Sequence, residues 1–149
     1  MNITTSTVTK LVLTDVPALD PITIYIEDFD IGRGQITILC YGKAWTSYWG
    51  SMGDMTITKF FLSCDEHYLA KNLSDIPWEV YDLDALQAQA AERGVDCWRD
   101  DPWNDYEFMN DMYGGDMCEW GYNLPTKTNP EYRYLCRIIK AVQEGLTVG

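Results

Sequence analysis

Two runs of strict alternation constrain this chain more than anything else in it. Over Pro21–Glu27, Ile22, Ile24 and Ile26 fall on every second position, and over Gln35–Tyr41, Ile36, Ile38 and Cys40 do the same. A repeat of two puts those side chains on one face of a strand, so each run reads as a strand buried on one side. The link Asp28-Phe29-Asp30-Ile31-Gly32-Arg33-Gly34 is short and Gly-containing, which makes the two strands antiparallel neighbours. β-branched residues over Thr7–Thr14 and a further run from Lys43 to Trp49 extend the pattern. The expectation is a three- or four-stranded antiparallel sheet within residues 7–49.

Beyond residue 50 the period changes to that of a helix. Ile57, Phe60, Phe61, Cys64 and Tyr68 recur at helical spacing after Asp54, which is placed to cap a helix over about 54–73. Ser63 and Glu66 also match a capping box, which would divide the stretch in two. Asp82 begins a helix over 82–93, with Tyr81 and Leu86 spaced as a hydrophobic staple and Gly94 as its stop. Asn129-Pro130 opens the last helix, 130–145, whose stripe is Tyr132, Leu135, Cys136, Ile139 and Val142 and whose end is set at Gly145. The class is therefore α+β, a sheet packed with about three helices, in a single domain over residues 1–149, the usual size of one domain.

The net charge of −12 is unevenly placed. Residues 75–120 hold thirteen acids and only two bases, Arg93 and Arg99, so nearly all of the excess lies in under a third of the chain. A field of that sign repels nucleic acid and anionic membranes and attracts basic protein surfaces. Direct nucleic-acid binding and membrane binding are therefore not expected. The first residues have neither a basic region nor an apolar core, so no signal peptide is expected, and no run approaches the roughly 18 apolar residues of a membrane span. Five scattered cysteines and one His, with no C-x-x-C pair, predict reduced thiols in a cytoplasmic protein and no zinc or other cofactor.

The segment 95–125 interleaves acids with aromatic residues and lacks a firm period. Asp101 and Pro102 suit the start of a short helix within 101–112. As a candidate interaction patch we take Asp96, Asp100, Asp101, Trp103, Asp105, Glu107, Asp111, Asp116 and Glu119. Carboxylates on a rigid scaffold imitate phosphate charge, and rings supply the anchors that charge lacks. The plain alternative is a solvated acidic surface over a small core. A second candidate is the aromatic loop of Lys43, Trp45, Tyr48 and Trp49, a base-stacking platform on one reading and sheet packing on the other. Cys64 and His67, three residues apart, would share a helix face, but Cys64 falls on the apolar stripe, where a thiol is inert. Asp100-Asp101-Pro102-Trp103-Asn104-Asp105 lacks the spacing and Gly of a calcium loop, and no P-loop, nucleophile elbow, zinc-protease or dinucleotide motif occurs.

The stretch Cys40–Gly50, followed by Phe60-Phe61-Leu62-Ser63-Cys64-Asp65-Glu66-His67-Tyr68-Leu69, resembles a group of short uncharacterised proteins encoded by phages and prophages of enteric bacteria. The resemblance brings no fold and no site residue. It implies a bacterial host cytoplasm during phage gene expression, where small acidic proteins often disable nucleic-acid machinery. The expected function is a non-enzymatic acidic binding protein, an inhibitor or nucleic-acid mimic docking on a basic or nucleic-acid-binding host protein. The rival classes are an enzyme with a carboxylate, metal-assisted hydrolytic site and a homo-oligomeric assembly protein.

Overall fold

The computed structural model describes all 149 residues and divides them into two units, one of residues 1–76 and 130–149, the other of residues 77–129. The α+β class is borne out. In the first unit the order is β1 (Thr9–Leu13), β2 (Ile22–Asp30), β3 (Arg33–Cys40), β4 (Lys43–Trp49), α1 (Ile57–Ser63) and α2 (Glu66–Leu73). The strands form one antiparallel sheet in chain order, with Ile24 opposite Ile38 and Ile38 opposite Trp45. The alternation has the consequence expected of it: Ile22, Ile24, Ile36 and Ile38 are wholly buried, while their neighbours along each strand face outward. Tyr41 and Gly42 join β3 to β4 with φ of 49° and 74°, the paired positive values that match the twist of a two-residue hairpin.

The helical stretch after the sheet is two helices, not one over 54–73. Thr56, rather than Asp54, caps α1, its hydroxyl accepting from Lys59 N–H, and Asp65, rather than Ser63, caps α2 by accepting from Tyr68 N–H at 2.8 Å. The first N–H of α1, that of Ile57, donates at 2.8 Å to Asp28, whose strand shifts register between Asp28 and Asp30. Strand, bulge and helix start are thus fastened at one carboxylate.

The sixth helix in chain order runs Pro130–Val148 and completes this unit. Its Leu135, Ile138, Ile139 and Val142 have no solvent exposure and enter the same core as the isoleucines, Phe61 and Leu69. Gly145 does not end it. The helix passes through, and an added Cβ there would lie 2.6 Å from Leu13 Cδ2, so the glycine serves close packing between helix and strand. Gln143 donates from Nε2 to the carbonyls of Phe61 and Cys64, satisfying groups at the end of α1.

The second unit contains β5 (Glu79–Tyr81), α3 (Leu83–Arg93), a 3-10 turn (Pro102–Asn104), α4 (Tyr106–Tyr113), a second 3-10 turn (Met117–Glu119), α5 (Trp120–Asn123) and β6 (Thr126–Thr128). Six helices therefore stand where about three were expected. Asp82 caps α3 and Gly94, at φ 68°, closes it, both as the sequence indicates. The helix within the acidic segment begins later than Asp101, with Asp105 as its cap. Leu86, Ala90, Phe108, Met109, Met112, Trp120 and Leu124 make a core of their own.

Candidate functional site

Residues 77–129 close on themselves at the base. β5 and β6 pair antiparallel, Asn129 N–H donates to the Trp78 carbonyl at 2.8 Å, and Asn129 Nδ2 donates to Pro77 at 2.9 Å. The buried Asn129 is thereby satisfied, and both ends of the unit are tied together. Above this base, α4 turns Phe108, Met109 and Met112 inward. Helical spacing leaves Glu107 and Asp111, one turn apart, on the solvent side.

The few cations of the unit are largely engaged. Arg93 donates to the carbonyl of Met112 and lies 5.4 Å from the Tyr113 ring, whose hydroxyl donates to Gln89. Burial pushes the Tyr113 hydroxyl above its ordinary range, and the Arg93 charge pulls the other way. Arg99 pairs with Asp105 at 3.4 Å and lies 4.7 Å from the Trp98 ring. Residues 77–129 hold twelve acids against Arg93, Arg99 and Lys127, a net charge of −9, and Asp105 alone among those acids has an ion-pair partner.

Of the nine residues taken as a patch, Asp96, Asp100, Asp101, Glu107, Asp111, Asp116 and Glu119 are exposed. Two carboxylates also do structural work: Asp105 accepts from Phe108 N–H as the cap of α4, and Asp116 accepts from Cys118 N–H at the second 3-10 turn. Trp103 is not an outward anchor. It is half-buried against the core of the unit, and its ring centroid lies 5.0 Å from that of Tyr81. The rings offered to solvent are instead Trp98, Tyr106 and Tyr122, together with Trp78 and Tyr81 at β5. The sequence reading missed Trp78, Glu79 and Tyr81 as site residues. The β-prone run Trp78–Tyr81 was the signal, too short to show a period.

Lys43, Trp45, Tyr48 and Trp49 form a strand, not a loop, and belong to the other unit. Trp45 and Trp49 face the core; Trp49 Nε1–H donates to the Tyr68 hydroxyl at 3.1 Å, and Tyr48 lies on the opposite face beside Phe29. Lys43 sits 5.9 Å from the Tyr134 ring. The alternation of the strand separates these rings, and they build no common stack.

Cys64 and His67 do not share a helix either. Cys64 is the C-cap of α1 and His67 lies in α2, where its Nδ1 meets the Tyr132 hydroxyl at 2.8 Å. Burial raises the Cys64 thiol above its ordinary range; a hydrogen bond from Ser63 opposes this and the Asp65 charge adds to it. No group of three or more His, Cys, Asp or Glu side chains is arranged to hold a metal ion, and no helix is long and apolar enough to cross a membrane.

The molecule is thus an α+β protein that carries most of its negative charge, unneutralised, on one separately cored unit. A family model described as a phage family matches residues 1–148, and the chain belongs to that family. No curated protein and no solved structure matches it.

Proposed function

We propose that this phage protein is a non-enzymatic binding protein that sets residues 77–129 against a basic surface of a protein of its enteric bacterial host, in the host cytoplasm, as an inhibitor or nucleic-acid mimic. The observation that carries the reading is that eleven of the twelve acids in this unit have no ion-pair partner, while Trp78, Trp98, Tyr106 and Tyr122 stand exposed among them. Self-repulsion of that size works against the folded unit, and a cationic partner surface relieves it. The charges would steer encounter and fix orientation, and the rings would supply the desolvated contacts that hold the complex. A host protein built to bind phosphates offers the complementary field.

The test is capture by the full chain from a bacterial lysate at about 50 mM and about 500 mM salt, where screening lengths differ several-fold. Bound proteins should be basic or nucleic-acid-binding, leave at high salt and be displaced by added duplex DNA. The variant Asp100→Asn/Asp101→Asn/Glu107→Gln/Asp111→Asn should retain none of them. A folded sample that captures nothing at low salt, or captures equally with and without the four substitutions, sinks the reading.

A further inference from the structure

A cleft of the second unit, walled by rings and a carboxylate, lies on the β5–β6 ribbon. It encloses about 500 Å3 and is lined by Glu79, Val80, Tyr81, Trp103 and Thr126. The register explains how Glu79, Tyr81 and Thr126 come together there. Glu79 stands opposite Thr128, Tyr81 opposite Thr126 and Val80 opposite Lys127. Residues directly opposite in an antiparallel pair share a face, and successive residues alternate. Glu79, Tyr81 and Thr126 therefore share the cleft face with Thr128; Val80, between Glu79 and Tyr81, also borders the cleft, while Lys127, its partner across the ribbon and the ribbon's cation, does not line it.

On the cleft face two rings meet at 46° with centroids 5.0 Å apart, so they form two inclined walls rather than a closed sandwich. Tyr81 is 40% exposed and leaves ring surface open to a ligand. Glu79 is exposed at the rim and has no ion-pair partner in the chain. No cationic side chain lines the cleft. Ring faces carry negative potential that attracts a cation, and an adjacent carboxylate adds a directed hydrogen-bonding partner.

We infer that this cleft receives an arginine side chain of the basic partner, the guanidinium lying on the Tyr81–Trp103 walls and donating to Glu79. A guanidinium fits better than an ammonium because it is planar, is more weakly hydrated and presents a fork to the carboxylate while stacking on a ring. The inference rests on the docking reading above and gives it a specific point of attachment. It also gives Trp103 a part that burial alone would deny it, as a wall instead of an outward anchor.

The experiment titrates the full-length protein with an octa-arginine and an octa-lysine peptide at low salt, followed by amide and indole N–H NMR signals. Octa-arginine should move the signals of Glu79, Tyr81 and the Trp103 indole and bind several-fold tighter than octa-lysine. Glu79→Gln and Tyr81→Leu should each weaken octa-arginine about five- to tenfold, the scale of one carboxylate or ring contact to a guanidinium. Asp111→Asn, which removes an equal charge outside the cleft, should cost less than twofold by the weakness of exposed charge pairs. If both peptides bind with strong salt dependence but the cleft signals stay still, or Glu79→Gln behaves like Asp111→Asn, the cleft assignment falls and the docking reading stands. If the two peptides bind equally, the arginine assignment falls. If neither peptide binds a folded sample, both readings fall.

Discussion

Gly32 faces the carbonyl oxygen of Gly53 so closely that a Cβ built on it would lie 2.2 Å from that oxygen. The same turn is fixed from the other side, since Met52 N–H donates to the Gly32 carbonyl at 2.9 Å. The hairpin tip between β2 and β3 and the loop after β4 are thus held backbone to backbone, with no space for a side chain.

A paired substitution isolates that contact. Gly42 has nearly the same φ as Gly32, 74° against 75°, but open space where its Cβ would be. Gly42→Ala should cost about 1–2 kcal/mol, the strain of a left-handed alanine. Gly32→Ala adds a backbone clash and should exceed about 4 kcal/mol, in the range reserved for gross steric conflict. Urea midpoints of the two variants decide it, and equal midpoints would show that the turn separates freely from the loop.

The sheet was legible because a period of two has one physical meaning once a face is buried; Ile22, Ile24, Ile36 and Ile38 left no second register. Asp82 with Gly94, and Asn129 with Pro130, were legible because each stands alone at its helix boundary. Capping chemistry failed where caps crowd together. Asp54, Thr56, Ser63 and Asp65 are all competent, and the choice of Thr56 and Asp65 follows from where Ile57, Phe61 and Leu69 must go to be buried. The cleft was hidden because β5 and β6 have three residues each, below the length at which alternation can be seen, and they meet only through register. Which carboxylates remain unpaired was equally hidden, because it depends on Arg93 turning to a carbonyl and Arg99 to Asp105.

Asp105 separates structural from interactive charge. It caps α4 and holds Arg99, so Asp105→Ala should destabilise the second unit by about 1–2 kcal/mol, the usual cost of a lost cap. Asp105→Asn keeps an accepting oxygen for Phe108 N–H and should recover most of that loss, while Arg99→Gln, which removes only a half-exposed ion pair, should cost less than about 1 kcal/mol. Amide exchange of α4 in the three variants is the measurement. Comparable protection in Asp105→Ala and Arg99→Gln would assign the role to charge instead of capping.

The thiols should divide by access. Cys118 alone of the five cysteines is exposed, Cys40 is buried, and Cys64, Cys97 and Cys136 are partly buried with thiols pushed above their ordinary range, in each case mainly by burial. A disulfide reagent at neutral pH should therefore modify one thiol quickly and the rest much more slowly, with the fast phase absent from Cys118→Ser. A fast phase that survives the substitution would place a reactive thiolate elsewhere.

Alkaline pH should find a weak point at Tyr134. Its hydroxyl shares a hydrogen bond with Cys40 at 3.5 Å, and that bond, then burial and the neighbouring Cys40 and Asp20 charges, push its pKa from 10.0 up to about 12 against a smaller opposing pull from Arg137. The folded protein thus keeps the phenolic proton after the unfolded chain has released it. Below pH 10 both states hold the proton and the stabilisation is complete. Between about pH 10 and about pH 12 the unfolded state binds fewer protons than the folded one, so stability falls as pH rises. Tyr134→Phe cannot ionise, so its denaturation midpoint should decline less steeply than that of the parent across this window; the slope is the readout, and a constant offset between the two below the window does not affect it. Tyr113 and Tyr132, also raised, remain in both proteins and leave the difference unaffected. Parallel pH profiles would mean that the Tyr134 hydroxyl is as free to ionise in the folded protein as in the unfolded chain.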